Sequence, residues 1–199
     1  MPKNNSRPIF AQALCLVFLL PFFLASCSIN VKKEPNGEEK QVDIKTPMGG
    51  IHVSKGANVE DTGLPVYPGA RLKQKDEKGE DKSANVNISG FGYGLKVVAL
   101  EYESDDSPAK VVSYYKDQLK KYGNVLVCHT SHLDVNMDVK ESDHDRGNHD
   151  LTCQGSSGEN IELKVGTKEN QHIVAVESQA KGSSFSLVYV RTHGKDADI

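Results

Sequence analysis

The side chains best equipped for chemistry crowd into one stretch, SHLDVNMDVKESDHDRGNHD at 131–150. His144 and His149 stand there among Asp143, Asp145 and Asp150, the nitrogen and oxygen donors that divalent cations take. The spacing, however, fits no known ligand frame. Counted from Asp143, Gly147 falls at the fifth place of a calcium loop instead of the sixth, and the twelfth place is Gln154 where a bidentate Glu is required. For zinc there is no H-E-x-x-H and no paired Cys/His spacing. His129 and His132 are three apart, which on a strand points them to opposite faces. The stretch is expected to be a solvated, charged surface loop. No metal or other cofactor is expected, and a metal reading would have to use His144, His149, Asp143 and Asp145.

Nucleophilic catalysis finds less support. The chain has no G-x-S-x-G elbow, and GSSG at 155–158 and KGSS at 181–184 are turn chemistry. Glu101 and Glu103 share a strand face at a spacing of two, as carboxylates on a solvated sheet edge do. Gly90, Gly92 and Gly94 miss the G-x-G-x-x-G spacing, and no helix opens after them to hold a phosphate. No catalytic residue is assigned, and the chain is not expected to be an enzyme. The alternative is a metal-dependent or hydrolytic envelope enzyme using the loop 143–150.

Cysteine chemistry is more informative. The chain opens with Lys3 and Arg7, has no acid before residue 34, and runs apolar from Ile9 to Leu24 apart from Gln12. A positive start, a short apolar run and small residues after it form a secretory signal. About 16 residues make roughly 24 Å of helix, short of the roughly 30 Å hydrocarbon slab, and Pro21 interrupts it. The run ends in Leu24-Ala25-Ser26-Cys27, which resembles the lipobox of bacterial lipoproteins. That resemblance implies cleavage before Cys27, a diacylglycerol on its sulfur, and a mature chain held to the membrane by acyl chains at about 0.8 kcal/mol per buried CH₂. Ser28, where inner-membrane retention uses Asp, implies an outer-membrane position facing the periplasm in a cell with two membranes. Export leaves Cys128 and Cys153 as an even pair in an oxidising compartment, where a disulfide is expected. Closing a loop of about 26 residues contributes about 3 kcal/mol in the chain-entropy model. The rival is a reactive or metal-binding thiol pair.

The elements that position these residues follow from periodicity and punctuation. Residues 1–26 are the expected signal peptide, 27–40 a lipidated Cys and flexible polar spacer, 41–192 a single domain, and 193–199 a frayed tail. The spacer would hold the domain off the bilayer. The chain carries 24 Lys+Arg against 27 Asp+Glu, and losing Lys3 and Arg7 with the signal takes its formal charge from −3 to about −5, which excludes nucleic-acid steering. Val42/Ile44 and Ile51/Val53 alternate around Pro-Met-Gly-Gly, a hairpin with a faint likeness to repeated strands of bacterial adhesins, though one copy makes no solenoid. A second hairpin is expected over 83–104. YPGA at 67–70, followed by YYKDQL at 114–119, is similar to stretches in uncharacterised exported bacterial proteins, a family without a known activity. Ser107-Pro108 opens a helix whose stripe is Val112, Tyr115, Leu119 and Tyr122, with Gly123 past its end. NVLVCHT, DLTCQ, NIELKVG, HIVAVES and FSLVYVR then alternate as an antiparallel meander.

The expected fold class is therefore α+β: one long helix packed on a mostly antiparallel twisted sheet of about six to eight strands, after a cleaved signal peptide and short linker. The expected function is a membrane-anchored envelope lipoprotein acting as a non-enzymatic binding or accessory module, its partners the membrane and an envelope protein or component. A surface adhesin is the further alternative.

Overall fold

Val, Ile and Leu recur at every second position through much of the chain, the pattern that buries one face of a strand at a time. The computed structural model describes residues 27–33, 39–73, 82–131, 150–153 and 158–194. They form strands β1 (Ser28–Lys33), β2 (Glu39–Thr46), β3 (Gly49–Ser54), β4 (Arg71–Leu72), β5 (Ser83–Gly90), β6 (Tyr93–Ser104), β7 (Leu126–Thr130), β8 (Asn160–Thr167), β9 (Asn170–Ser178) and β10 (Ser183–His193). All belong to one antiparallel sheet, in the order β1-β2-β3-β5-β6-β10-β9-β8-β7. β4 pairs Arg71 and Leu72 with Glu103 and Tyr102, continuing the edge of β6 that β5 leaves at Leu100.

One helix, α1 (Pro108–Leu119), follows β6 and is extended by a 3-10 turn at Lys120–Tyr122. The α+β class with a mostly antiparallel sheet is what the structure has, but the helix is short and the sheet dominates, with more than half of the described residues in strands. Pro108 opens the helix with φ already set, and Ser107 before it is extended, its carbonyl accepting from Lys110 and Val111 N–H. The Ser107 side chain makes no cap bond. Instead Ser104 Oγ accepts from Asp106 N–H one turn earlier.

The helix buries Val111, Val112, Tyr115 and Leu119 against β8, β9 and β10. Facing it are Val98, Leu100, Tyr102, Leu163, Val174, Val176, Phe185 and Leu187, all buried in one cluster. Burying each such side chain contributes about 1.5–3 kcal/mol. The two sequence stretches YPGA and YYKDQL meet in this core: the Tyr67 ring lies edge-on to Tyr114, its hydroxyl donates to Asp106, and Tyr115 donates to the Pro65 carbonyl.

Two expectations are corrected here. The residues expected to be a spacer after Cys27 include β1, which pairs with β2 from Ser28 opposite Lys45 to Lys33 opposite Glu39. DLTCQ is not a strand in its described part: residues 150–153 carry no regular structure. β8, and not this segment, pairs with β7. No helix of the described residues is long and apolar enough to cross a membrane.

Candidate functional site

The strand register assembles what no single strand shows. Ile29 lies opposite Ile44, Ile44 opposite Ile51, Ile51 opposite Ile88, and Ile88 opposite Leu95. One step along, Val31, Val42, Val53, Val86 and Val97 face one another in the same way, and Val97 reaches Val190 of β10. An isoleucine row and a valine row thus cross five strands on one face. Neighbouring β-branched side chains on a pleated sheet stabilise their pairings by roughly 0.2–1 kcal/mol each. The opposite face of these strands carries the row Asn30, Asp43, His52, Asn87 and Lys96. His52 Nδ1 pairs with Asp43, and that hydrogen bond holds the Asp43 carboxyl below the usual range.

This sidedness is the reverse of what the helix-covered half needs. Alternation puts Val98, Leu100 and Tyr102 toward α1 and Leu95, Val97 and Ala99 away from it, so the apolar rows lie on the face that α1 does not cover. At the β9 and β10 end that second face is closed, with Ile173, Val188 and Val190 buried. Toward β1 it opens: Ile29, Val31, Ile51 and Ile88 are all exposed. Contiguous exposed apolar surface of this kind marks an interaction site in a folded protein.

At one end of the rows the surface forms a groove of about 390 Å³, lined among others by Ile44, Met48, Ile51, Ile88, Phe91 and Leu95. Gly49 and Gly90 face each other across its floor, where a Cβ on Gly49 would stand 2.6 Å from the Gly90 Cα. Two hairpin turns close its end, Pro47-Met48 between β2 and β3 and Phe91-Gly92 between β5 and β6, and Phe91 N–H donates to the Met48 carbonyl at 3.2 Å. The β5–β6 connection is a tight two-residue turn with φ positive at both residues, 55° at Phe91 and 82° at Gly92. Such turns favour Asn-Gly, because a side chain with Cβ is strained there. Phe91 nonetheless holds that position and is 70% exposed.

The residues singled out from the sequence fall as follows. Cys128 is buried on β7 and is disulfide-bonded to Cys153, with Cα atoms 5.4 Å apart. The bond ties β7 to the irregular segment 150–153, and so does not join β7 to a strand of the meander expected at DLTCQ. Cys27 is free and exposed, next to the first residue of β1. His144, His149, Asp143 and Asp145 lie outside the described residues. Among the described residues, no group of three or more His, Cys, Asp or Glu comes together to hold a metal ion. Glu101 and Glu103 are on a central strand, not a sheet edge, and both reach Lys73 Nζ, at 3.2 and 3.5 Å. Burial works against the Lys73 charge, but the two carboxylates prevail and raise its pKa.

The sequence reading missed Ile29 and Val31, assigning them to a spacer. The signal that could have found them is Pro35-Asn36-Gly37 between two alternating segments, which announces a hairpin. Comparison with protein-family models, with curated proteins and with solved structures gives no match.

Proposed function

We propose that this chain is a lipid-anchored lipoprotein of the bacterial cell envelope, tethered through Cys27 and acting as a non-enzymatic binding module. Its recognition surface is the apolar face of β1, β2, β3, β5 and β6, and its partner is an apolar component of the envelope. In a cell with two membranes the anchor sits in the outer membrane and the domain faces the periplasm. The observation that carries this reading is the pair of Ile and Val rows, which run from the core out to a strand that begins directly after the lipobox cysteine.

The test uses two neighbouring residues on opposite faces. A photo-crosslinking side chain at Ile88, on the apolar face, is expected to capture an envelope component in living cells, while the same group at Asn87 captures little. Equal capture from both positions, or none from Ile88, ends the assignment of this face. Labelling with a radioactive fatty acid is expected to depend on Cys27, and a Cys27→Ala protein that still labels removes the tether.

A further inference from the structure

We infer that the Cys27 end of the apolar face docks into the lipid bilayer that holds its anchor, with Ile29, Met48, Phe91 and Tyr93 entering the interfacial region beside the acyl chains. This deepens the proposed function and rests on acylation of Cys27.

Ser28 lies opposite Lys45, so Cys27 leaves the sheet beside Thr46 and the Pro47-Met48 turn. Gly49 lies opposite Gly90, which brings the Phe91-Gly92 turn to the same end. Three separate elements therefore deliver exposed apolar side chains to the point where the anchor attaches. Ile29 is 66% exposed, Met48 63%, Phe91 70% and Tyr93 63%.

Ser28 is already paired in the sheet, and an extended residue spans only about 3.3–3.6 Å, so an acylated Cys27 keeps this end of the domain at the headgroups. Only a long spacer would have allowed the apolar end to turn back into water.

Aromatic rings suit the interface between headgroups and hydrocarbon. From Ile44 to Val59 and from Ser83 to Leu100 the chain has no carboxylate, and its charged side chains there are Lys45, Lys55 and Lys96, of which Lys96 pairs with Asp61. A rim without acids meets an anionic lipid surface without repulsion. Phe91 also stands in a strained position, where exposure and a positive φ both disfavour an aromatic residue in water.

The chain has no Trp, so a single introduced indole reports its own position. Phe91→Trp, Met48→Trp and, on the polar face, Asn87→Trp proteins are made with the leader intact, checked by mass for the acylated Cys27, and reconstituted in vesicles of phosphatidylethanolamine and phosphatidylglycerol with brominated acyl chains. The indoles at 91 and 48 are expected to be quenched about twofold or more relative to the one at 87. Acylated protein with equal quenching at all three positions overturns the docking and leaves the tether intact. If quenching is equal and the mass shows an unmodified Cys27, both fall. Unmodified Cys27 with selective quenching at 91 and 48 ends the tether and, with it, the inference that the anchor sets this face on the bilayer. Emission at 91 that shifts with protein concentration and ignores bromine overturns the docking in favour of a second copy of the chain.

Discussion

At the scale of single residues, His172 shows a titratable group used for packing. Its ring stacks on Tyr122 at 3.8 Å and tilts against Tyr189 at 4.9 Å, while Nδ1 donates to the Thr62 carbonyl at 2.8 Å. Burial lowers its pKa from 6.5, the carbonyl works against that, and the charge of Lys121 adds to the lowering. A lowered pKa means that the unfolded chain binds the proton more readily, so stability rises with pH across this window. The contribution is expected to be complete above about 6.5 and to be lost as pH falls through the folded value. Urea midpoints at pH 7.5 and pH 5 check this: His172→Gln should flatten the difference. Asp105, held low by Arg71, and Asp106, held low by Lys110, lose their contributions only at and below the ordinary carboxylate range, outside this window. Phe91 makes the opposite case, a residue that weakens the fold in water. Phe91→Asn relieves the left-handed strain and removes an exposed ring, and should stabilise the protein by about 1 kcal/mol in urea titration. A destabilised variant would mean that the ring is packed in solution.

At the scale of elements, α1 holds one half of the sheet through a few side chains. Leu119 is fully buried at its last turn, and Leu119→Ala should lower unfolding free energy by roughly 2–5 kcal/mol. Thermal or denaturant unfolding measures it, and a loss under 1 kcal/mol would mean that the site collapses around the gap. Such elements were legible because their signals are local. Ser107-Pro108 marks the helix start, and the period of two in NIELKVG, HIVAVES and FSLVYVR survives as β8, β9 and β10. What was not legible depends on pairing at a distance. SINVKK alternates as the other strands do, but with Asn30 and Lys32 between its few apolar residues and Pro35-Asn36-Gly37 after it, it looks like a spacer until Ile44 is seen beside Ile29. DLTCQ alternates too, yet its cysteine is held by a disulfide and not by a ladder. β4 is two residues long and has no period to read. The candidate face was visible only in pieces, since Val42/Ile44 and Val86/Ile88 say that one side is apolar without saying that the sides coincide.

At the scale of the whole molecule, the sheet is two unequal halves with one continuous set of ladders. β10, β9 and β8 pack against α1 on one face, where β6 adds Val98, Leu100 and Tyr102 to the same buried cluster, and Ile173, Val188 and Val190 are buried on the other, so both faces resist water. β1, β2 and β3 have ladder bonds and one another, with no layer over the Ile and Val rows among the described residues. Regions with solvent-facing backbone bonds and few buried apolar contacts open locally at lower cost than the global unfolding free energy. Amide exchange in solution should therefore be slowest in β6, β9 and β10, and faster by orders of magnitude in β1 and β2. If the bilayer is the missing layer, acylated protein in vesicles should gain protection selectively in β1, β2, β3 and the Phe91-Gly92 turn, with β9 unchanged. Protection that rises equally everywhere would instead report global stabilisation. On the proposed reading the anchor would do more than fix an address: it would place beside the exposed rows the solvent in which their exposure costs least, with α1 and the helix-packed half of the sheet projecting into the aqueous phase.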